Sequence, residues 1–89
     1  MAGATTLQKT LRSPGHKKLT ELLIDLRTEA DLTQRELADR LDESQSFVSR
    51  VETGERVPDP IEAVLWAKAC GLSIRQFYNR LATALEKVL

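Results

Sequence analysis

Much that would mark a catalytic or membrane protein is scarce or missing in this chain of 89 residues. Cys70 is the only cysteine, so no disulfide framework exists and no cysteine-based zinc set forms. It lies in an apolar helical run and reads as a small buried residue rather than a reactive thiol, which suits a reducing compartment. His16 is the only histidine and falls in or next to the amino-terminal segment, so no histidine-centred acid–base pair is placed by the fold. No Gly-rich phosphate loop is present. Asp39, Asp42 and Glu43 are neighbouring acids, and a solvated face explains them more simply than a metal site. No apolar run approaches the roughly 18 residues of a membrane span, and no signal peptide is visible. Alternating β-branched runs are absent, so no strand is expected. These absences point to a soluble, cytoplasmic, all-α protein with no cofactor and no metal, and an enzyme is the least supported class.

Net charge is also missing, because 13 basic residues balance 13 acidic ones. A strongly basic domain would be the simplest sign of nucleic-acid binding. Here the charge is distributed instead. Residues 1–18 carry Lys9, Arg12, Lys17 and Lys18 and no acid, while the acids between Glu21 and Glu55 are interleaved with arginines.

What is present is helical punctuation. Residues 1–15 read as a basic arm, either a loose tail or a segment that touches DNA. Leu19, Leu22, Leu23, Leu26 and Ala30 recur at three- and four-residue steps and predict a first helix over about 16–30, with Ser13 and Pro14 at its start. Asp31 tolerates a left-handed helix end. Thr33 and Glu36 have capping-box spacing and open a second helix over about 34–41, with Leu37, Ala38 and Leu41 inward. Asp42-Glu43 make a turn, and Ser44 caps a third helix over about 45–53, with Phe47, Val48 and Val51 inward and Gly54 after its end. Asp59, Pro60 and Glu62 start a fourth helix whose apolar stripe is Ile61, Val64, Leu65 and Ala69, and Gly71 ends it. Trp66 belongs to the core or its edge, or to a subunit contact. Ser73 and Gln76 begin a fifth helix with the stripe Ile74, Phe77, Leu81, Leu85 and Val88. Its last part, residues 79–89, projects past so small a core, and an exposed apolar stripe marks a partner surface.

The stretch LRTEADLTQRELADRLDESQSFVSRVETGERVP resembles the helix-turn-helix family of phage repressors and Cro proteins, the XRE family. The matching features are Leu32-Thr33-Gln34, Glu36-Leu37-Ala38, Leu41, Ser44, Val48-Ser49, Val51-Glu52, Gly54 and Pro58, within about residues 19–78. The turn position that the family usually gives to glycine is Asp42 here, at a cost of about 1 kcal/mol for the left-handed backbone.

The resemblance implies a five-helix, lambda-repressor-like DNA-binding domain at 16–78 with an extended fifth helix. It implies that Gln45, Ser46, Ser49 and Arg50 reach base edges from the third helix. Thr33, Gln34, Arg56, Lys17 and Lys18 would meet phosphates, Gln34 at a helix N-terminus that already offers N–H groups to an anion. Arg27 and Glu52 match a family pair joining the first helix to the end of the third; a DNA contact by Arg27 is the other reading. Without the resemblance, the polar row on the third helix is equally a solvated face.

The implied partner is double-stranded DNA. A homodimer would read a palindromic operator, paired through Leu81, Leu85, Val88 and Leu89, and act as a repressor on the nucleoid. A protein-interaction module of the same fold, an antitoxin or adaptor using the fifth helix, is the alternative. With zero net charge and acids at Asp42, Glu43 and Glu55, a single copy is expected to bind weakly.

Overall fold

The computed structural model describes residues 13–89 as five α-helices, with no strand among the described residues. They are α1 (Pro14–Glu29), α2 (Gln34–Leu41), α3 (Gln45–Glu52), α4 (Pro60–Ala69) and α5 (Ile74–Glu86). The expectations for residues 1–12 lie outside the described residues. Helix α1 takes in Pro14 and Gly15, two residues placed in the arm on sequence.

Each start has a side-chain oxygen over the first orphan N–H groups. Ser13 accepts from the His16 N–H, Thr33 from Glu36, Ser44 from Phe47, Asp59 from Glu62 and Ser73 from Gln76. At Thr33, Asp59 and Ser73 the third residue of the helix reaches back to the cap N–H, which closes a capping box. The ends are equally regular. Asp31 (φ 60°), Asp42 (φ 54°), Gly54 (φ 81°) and Gly71 (φ 94°) take the left-handed backbone that reverses the chain after each of the first four helices. After α2, the Glu43 N–H donates to the Ala38 carbonyl at 2.9 Å; after α3, the Glu55 N–H donates to Arg50 at 2.9 Å.

The core is built from Leu22, Leu23 and Leu26 of α1, Leu37 and Ala38 of α2, Val48 and Val51 of α3, Ala63, Trp66 and Ala67 of α4, and Phe77 of α5. Trp66 is completely buried, and its indole Nε1 donates to the Leu23 carbonyl at 3.0 Å, so the largest side chain satisfies its one polar atom in place. Cys70 is buried too, and burial pushes its thiol up to about 11. Arg40 of α2 donates to the Ala69 carbonyl at 2.9 Å and so closes the end of α4.

Helix α4 buries only part of the stripe expected of it. Val64 and Ala69 pack against the core, but Ile61 is 68% exposed and Leu65 51% exposed, while Ala63, Trp66 and Ala67 point inward. Two alanines beside one tryptophan let the helix lie close, whereas Ile61 and Leu65 on that face would hold it off. Ile74 of α5 is likewise 49% exposed.

Helix α5 runs back antiparallel along α1. Arg80 holds Glu29 with two bonds of 2.6 and 2.9 Å at one end of the pair. At the other end, a Cβ added to Gly15 would lie 3.7 Å from both Leu85 and Leu89. The stripe expected to project past the core is therefore partly used within the chain. Leu81 packs against the core and Leu85 is half-buried, whereas Leu89 is 85% exposed.

Candidate nucleic-acid interface

Helices α2 and α3 meet at the tight turn Asp42–Ser44, and α3 shows Val48 and Val51 to the core. The 3.6-residue period then turns Ser46 and Arg50 away from the core, with Gln45 and Ser49, four residues apart, together on one flank of them. Gln45, Ser46 and Arg50 are exposed and Ser49 is half-buried. This row carries donors and acceptors on short side chains plus one guanidinium, a set able to meet the edges of base pairs. Arg50 lies 4.0 Å from Glu55, with both side chains well exposed, so this loose pair leaves the guanidinium free to turn.

The angle of α3 is set by a charged network at its last residue. Arg27 of α1 holds the Glu52 carboxylate through Nε at 2.6 Å and Nη2 at 3.0 Å. The same guanidinium donates from Nη1 to the Leu32 carbonyl at 2.8 Å. The Arg27 side chain is 16% exposed and the Glu52 side chain 7%, so the pair is largely withdrawn from water. Donating to Glu52 raises the Arg27 pKa above its ordinary value against the opposing effect of burial. Arg27 thus faces into the protein, joining α1, the α1–α2 turn and α3.

Several residues assigned to phosphate contact have partners within the chain. The Gln34 amide donates to Glu52 at 2.9 Å, so this side chain belongs to the network at the end of α3, although Gln34 still opens α2. Thr33 is occupied by its capping box: its hydroxyl accepts from the Glu36 N–H at 3.0 Å and its N–H donates to Glu36 at 2.8 Å. These bonds hold the Glu36 carboxyl below the usual carboxylate range. Arg56 donates to Glu62 at 2.7 Å, and its guanidinium lies 5.0 Å from the centre of the Phe47 ring. Lys17 is exposed, and Lys18 sits 3.5 Å from Glu21.

Phe47 and Glu62 were missed as holders of Arg56. No local signal marks them, since Phe47 reads as core and Glu62 as a capping residue. Arg35, exposed in the first turn of α2, is another cation that sequence reasoning passed over. Its signal was its place beside a helix N-terminus, where an anion already finds free N–H groups.

A helix with a polar outer row, tied to α1 by a part-buried ion pair and preceded by a capped helix across a tight turn, has the architecture of a helix-turn-helix domain. The family model for the helix-turn-helix, of XRE and Cro type, matches residues 23–77. The chain belongs to this family of DNA-binding regulators. No curated protein matches it. No described helix is long and apolar enough to cross a membrane.

Proposed function

We propose that this protein is a sequence-specific regulator that binds a palindromic operator in double-stranded DNA as a homodimer and represses by blocking access to it. The observation that carries this reading is the outward row Gln45, Ser46, Ser49 and Arg50 on a helix whose angle is already fixed by Arg27 and Glu52. Gln45 offers a bidentate amide suited to adenine, Arg50 a fork suited to guanine or phosphate, and the serines adapt to several bases.

Positioning comes from the edges of the same face. Backbone N–H groups at the start of α2 and the exposed Lys17 and Arg35 supply phosphate contacts, joined by Lys18. Arg56 joins them by turning from Glu62. One reading helix spans only a few base pairs, so two copies related by a two-fold axis read half-sites about one helical turn apart. Such a protein works in the compartment that holds its operator DNA, the cytoplasm.

Selection of duplexes from a random pool by the full chain tests this. A symmetric consensus is expected, with binding that weakens steeply as salt rises. Gln45→Ala with Arg50→Ala should abolish the preference for that consensus while helix content and melting temperature stay unchanged. The reading fails if the double variant still selects the same sequence.

A further inference from the structure

We propose that the Glu62 carboxylate is an internal stand-in for a DNA phosphate: it holds the Arg56 guanidinium beside the reading face until DNA takes the cation over, and so lowers affinity for every duplex. This role rests on the DNA-binding reading above. Glu62 itself touches no DNA and acts through Arg56.

Arg56 is tied to α3 at both ends. Its N–H donates to the Arg50 carbonyl at 3.1 Å, which fastens its main chain to the end of the reading helix. Its guanidinium lies 5.0 Å from the centre of the Phe47 ring and donates to Glu62 at 2.7 Å. The ring attracts the cation independently of Glu62, so the guanidinium stays beside α3 when the carboxylate releases it.

Glu62 is fixed more firmly. One carboxylate oxygen accepts from the Asp59 N–H at 2.9 Å, and the Glu62 N–H donates to Asp59 at 2.7 Å, which closes the capping box of α4. The other oxygen takes Arg56. The carboxylate cannot follow the guanidinium outward without opening the start of α4. The Arg56 side chain is 49% exposed and that of Glu62 26%, so the cation is the partner that faces water and is able to leave.

The two arginines of this region are treated differently. Arg50, on the reading helix, stands 4.0 Å from Glu55, and this contact leaves it loose. Arg56, on the rim, is held at 2.7 Å. The cation that can read a base is free, and the one placed for phosphate is restrained. Phosphate contacts carry no sequence information and supply the non-specific part of binding. Every encounter with DNA must break the same bond to Glu62, whatever the sequence. An exposed ion pair contributes a factor of about two to five to an equilibrium, which sets the size of the effect.

Fluorescence anisotropy of the full chain across a salt series, with one duplex carrying the selected consensus and one of mixed sequence, tests the proposal. Glu62→Gln keeps an oxygen for the Asp59 N–H and removes the charge that holds Arg56. It should tighten binding about two- to fivefold on both duplexes, with the ratio between them unchanged. Arg56→Ala should weaken both and reduce the salt slope by about one. In the Arg56→Ala background, Glu62→Gln should have little effect, because its influence passes through the arginine. An equal gain in both backgrounds overturns the proposal, since Glu62 would then repel DNA as any nearby acid does. A gain confined to the consensus, no gain at all, or an unchanged salt slope in Arg56→Ala overturns it too. Far-ultraviolet circular dichroism and Trp66 fluorescence verify that each variant is folded. A chain that binds neither duplex would remove the DNA reading itself, whereas binding without coupling between Arg56 and Glu62 removes only this role for Glu62.

Discussion

Helices α3 and α4 are of similar length, and each carries both large and small side chains, yet they are turned opposite ways. In α3 the apolar residues Val48 and Val51 face inward and the polar row faces out. In α4 the small residues Ala63 and Ala67, with Trp66, face inward, and Ile61 and Leu65 face out. The contrast shows that apolar character alone does not choose the buried side of a short helix. Fit to the neighbouring helices does, because a close crossing needs small residues and one filled hole. It also separates two kinds of outward surface. The outer face of α3 offers hydrogen bonds, and the outer face of α4 offers area.

The widest split between the two helices should come from Trp66→Ala. Truncating this fully buried indole removes packing and leaves the Leu23 carbonyl without its donor, at a cost of about 3–5 kcal/mol. Urea unfolding followed by circular dichroism measures it. If the loss stays under about 1 kcal/mol, Trp66 does not hold α4 to the core.

Next in size is Glu52→Ala in α3. It leaves the part-buried Arg27 guanidinium without its counter-charge, only the Leu32 carbonyl remaining, and should cost up to about 3 kcal/mol, with loss of duplex selection in the fraction that remains folded. Restoring stability with Arg27→Leu in the same chain would show that the cost comes from the stranded charge.

Leu65→Ser should change stability by no more than about 0.5 kcal/mol in the monomer, since this leucine already faces water. The same substitution at a buried leucine such as Leu37 would cost several kcal/mol, so a large effect at Leu65 would place the inner face of α4 wrongly.

The smallest effect is in acid. Glu36 is held below its ordinary pKa by its bonds to Thr33, and Glu29 by its hydrogen bonds to Arg80. A carboxyl whose folded pKa is depressed contributes stability that is present above its unfolded value and is lost as pH falls through the folded one. Stability should therefore decline below the usual carboxylate range. Glu36→Gln on the α2–α3 side and Glu29→Gln on the α1–α5 side should each flatten that decline slightly, as read from urea midpoints across an acid series.

The helix starts were legible in the sequence because caps are local. Thr33 with Glu36, Asp59 with Pro60 and Glu62, and Ser73 with Gln76 declare themselves within four residues. The left-handed turns at Asp31 and Asp42 could be read for the same reason. The face of α4 could not, because a nearly uniform apolar helix has no polar side to give its orientation away. Bonds between distant residues were mostly hidden as well, the Arg27–Glu52 pair being expected only through the family resemblance. Nothing near Gln34 signals Glu52, and nothing near Glu29 signals Arg80, because these pairs exist only once the helices have packed. Arg56 illustrates the same limit within the site: its charge was plain, but the ring and carboxylate that hold it were not.

The bond from Gln34 to Glu52 has a consequence for how an anion would be received at the start of α2. A phosphate that drew the Gln34 amide toward itself would take a donor away from Glu52, so the step trades one hydrogen bond for another and gains little net attraction. The backbone N–H groups give up no such partner. The first turn of α2 would therefore grip an anion through its main chain, and an approach close enough to capture the Gln34 amide would loosen the far end of α3 by one bond.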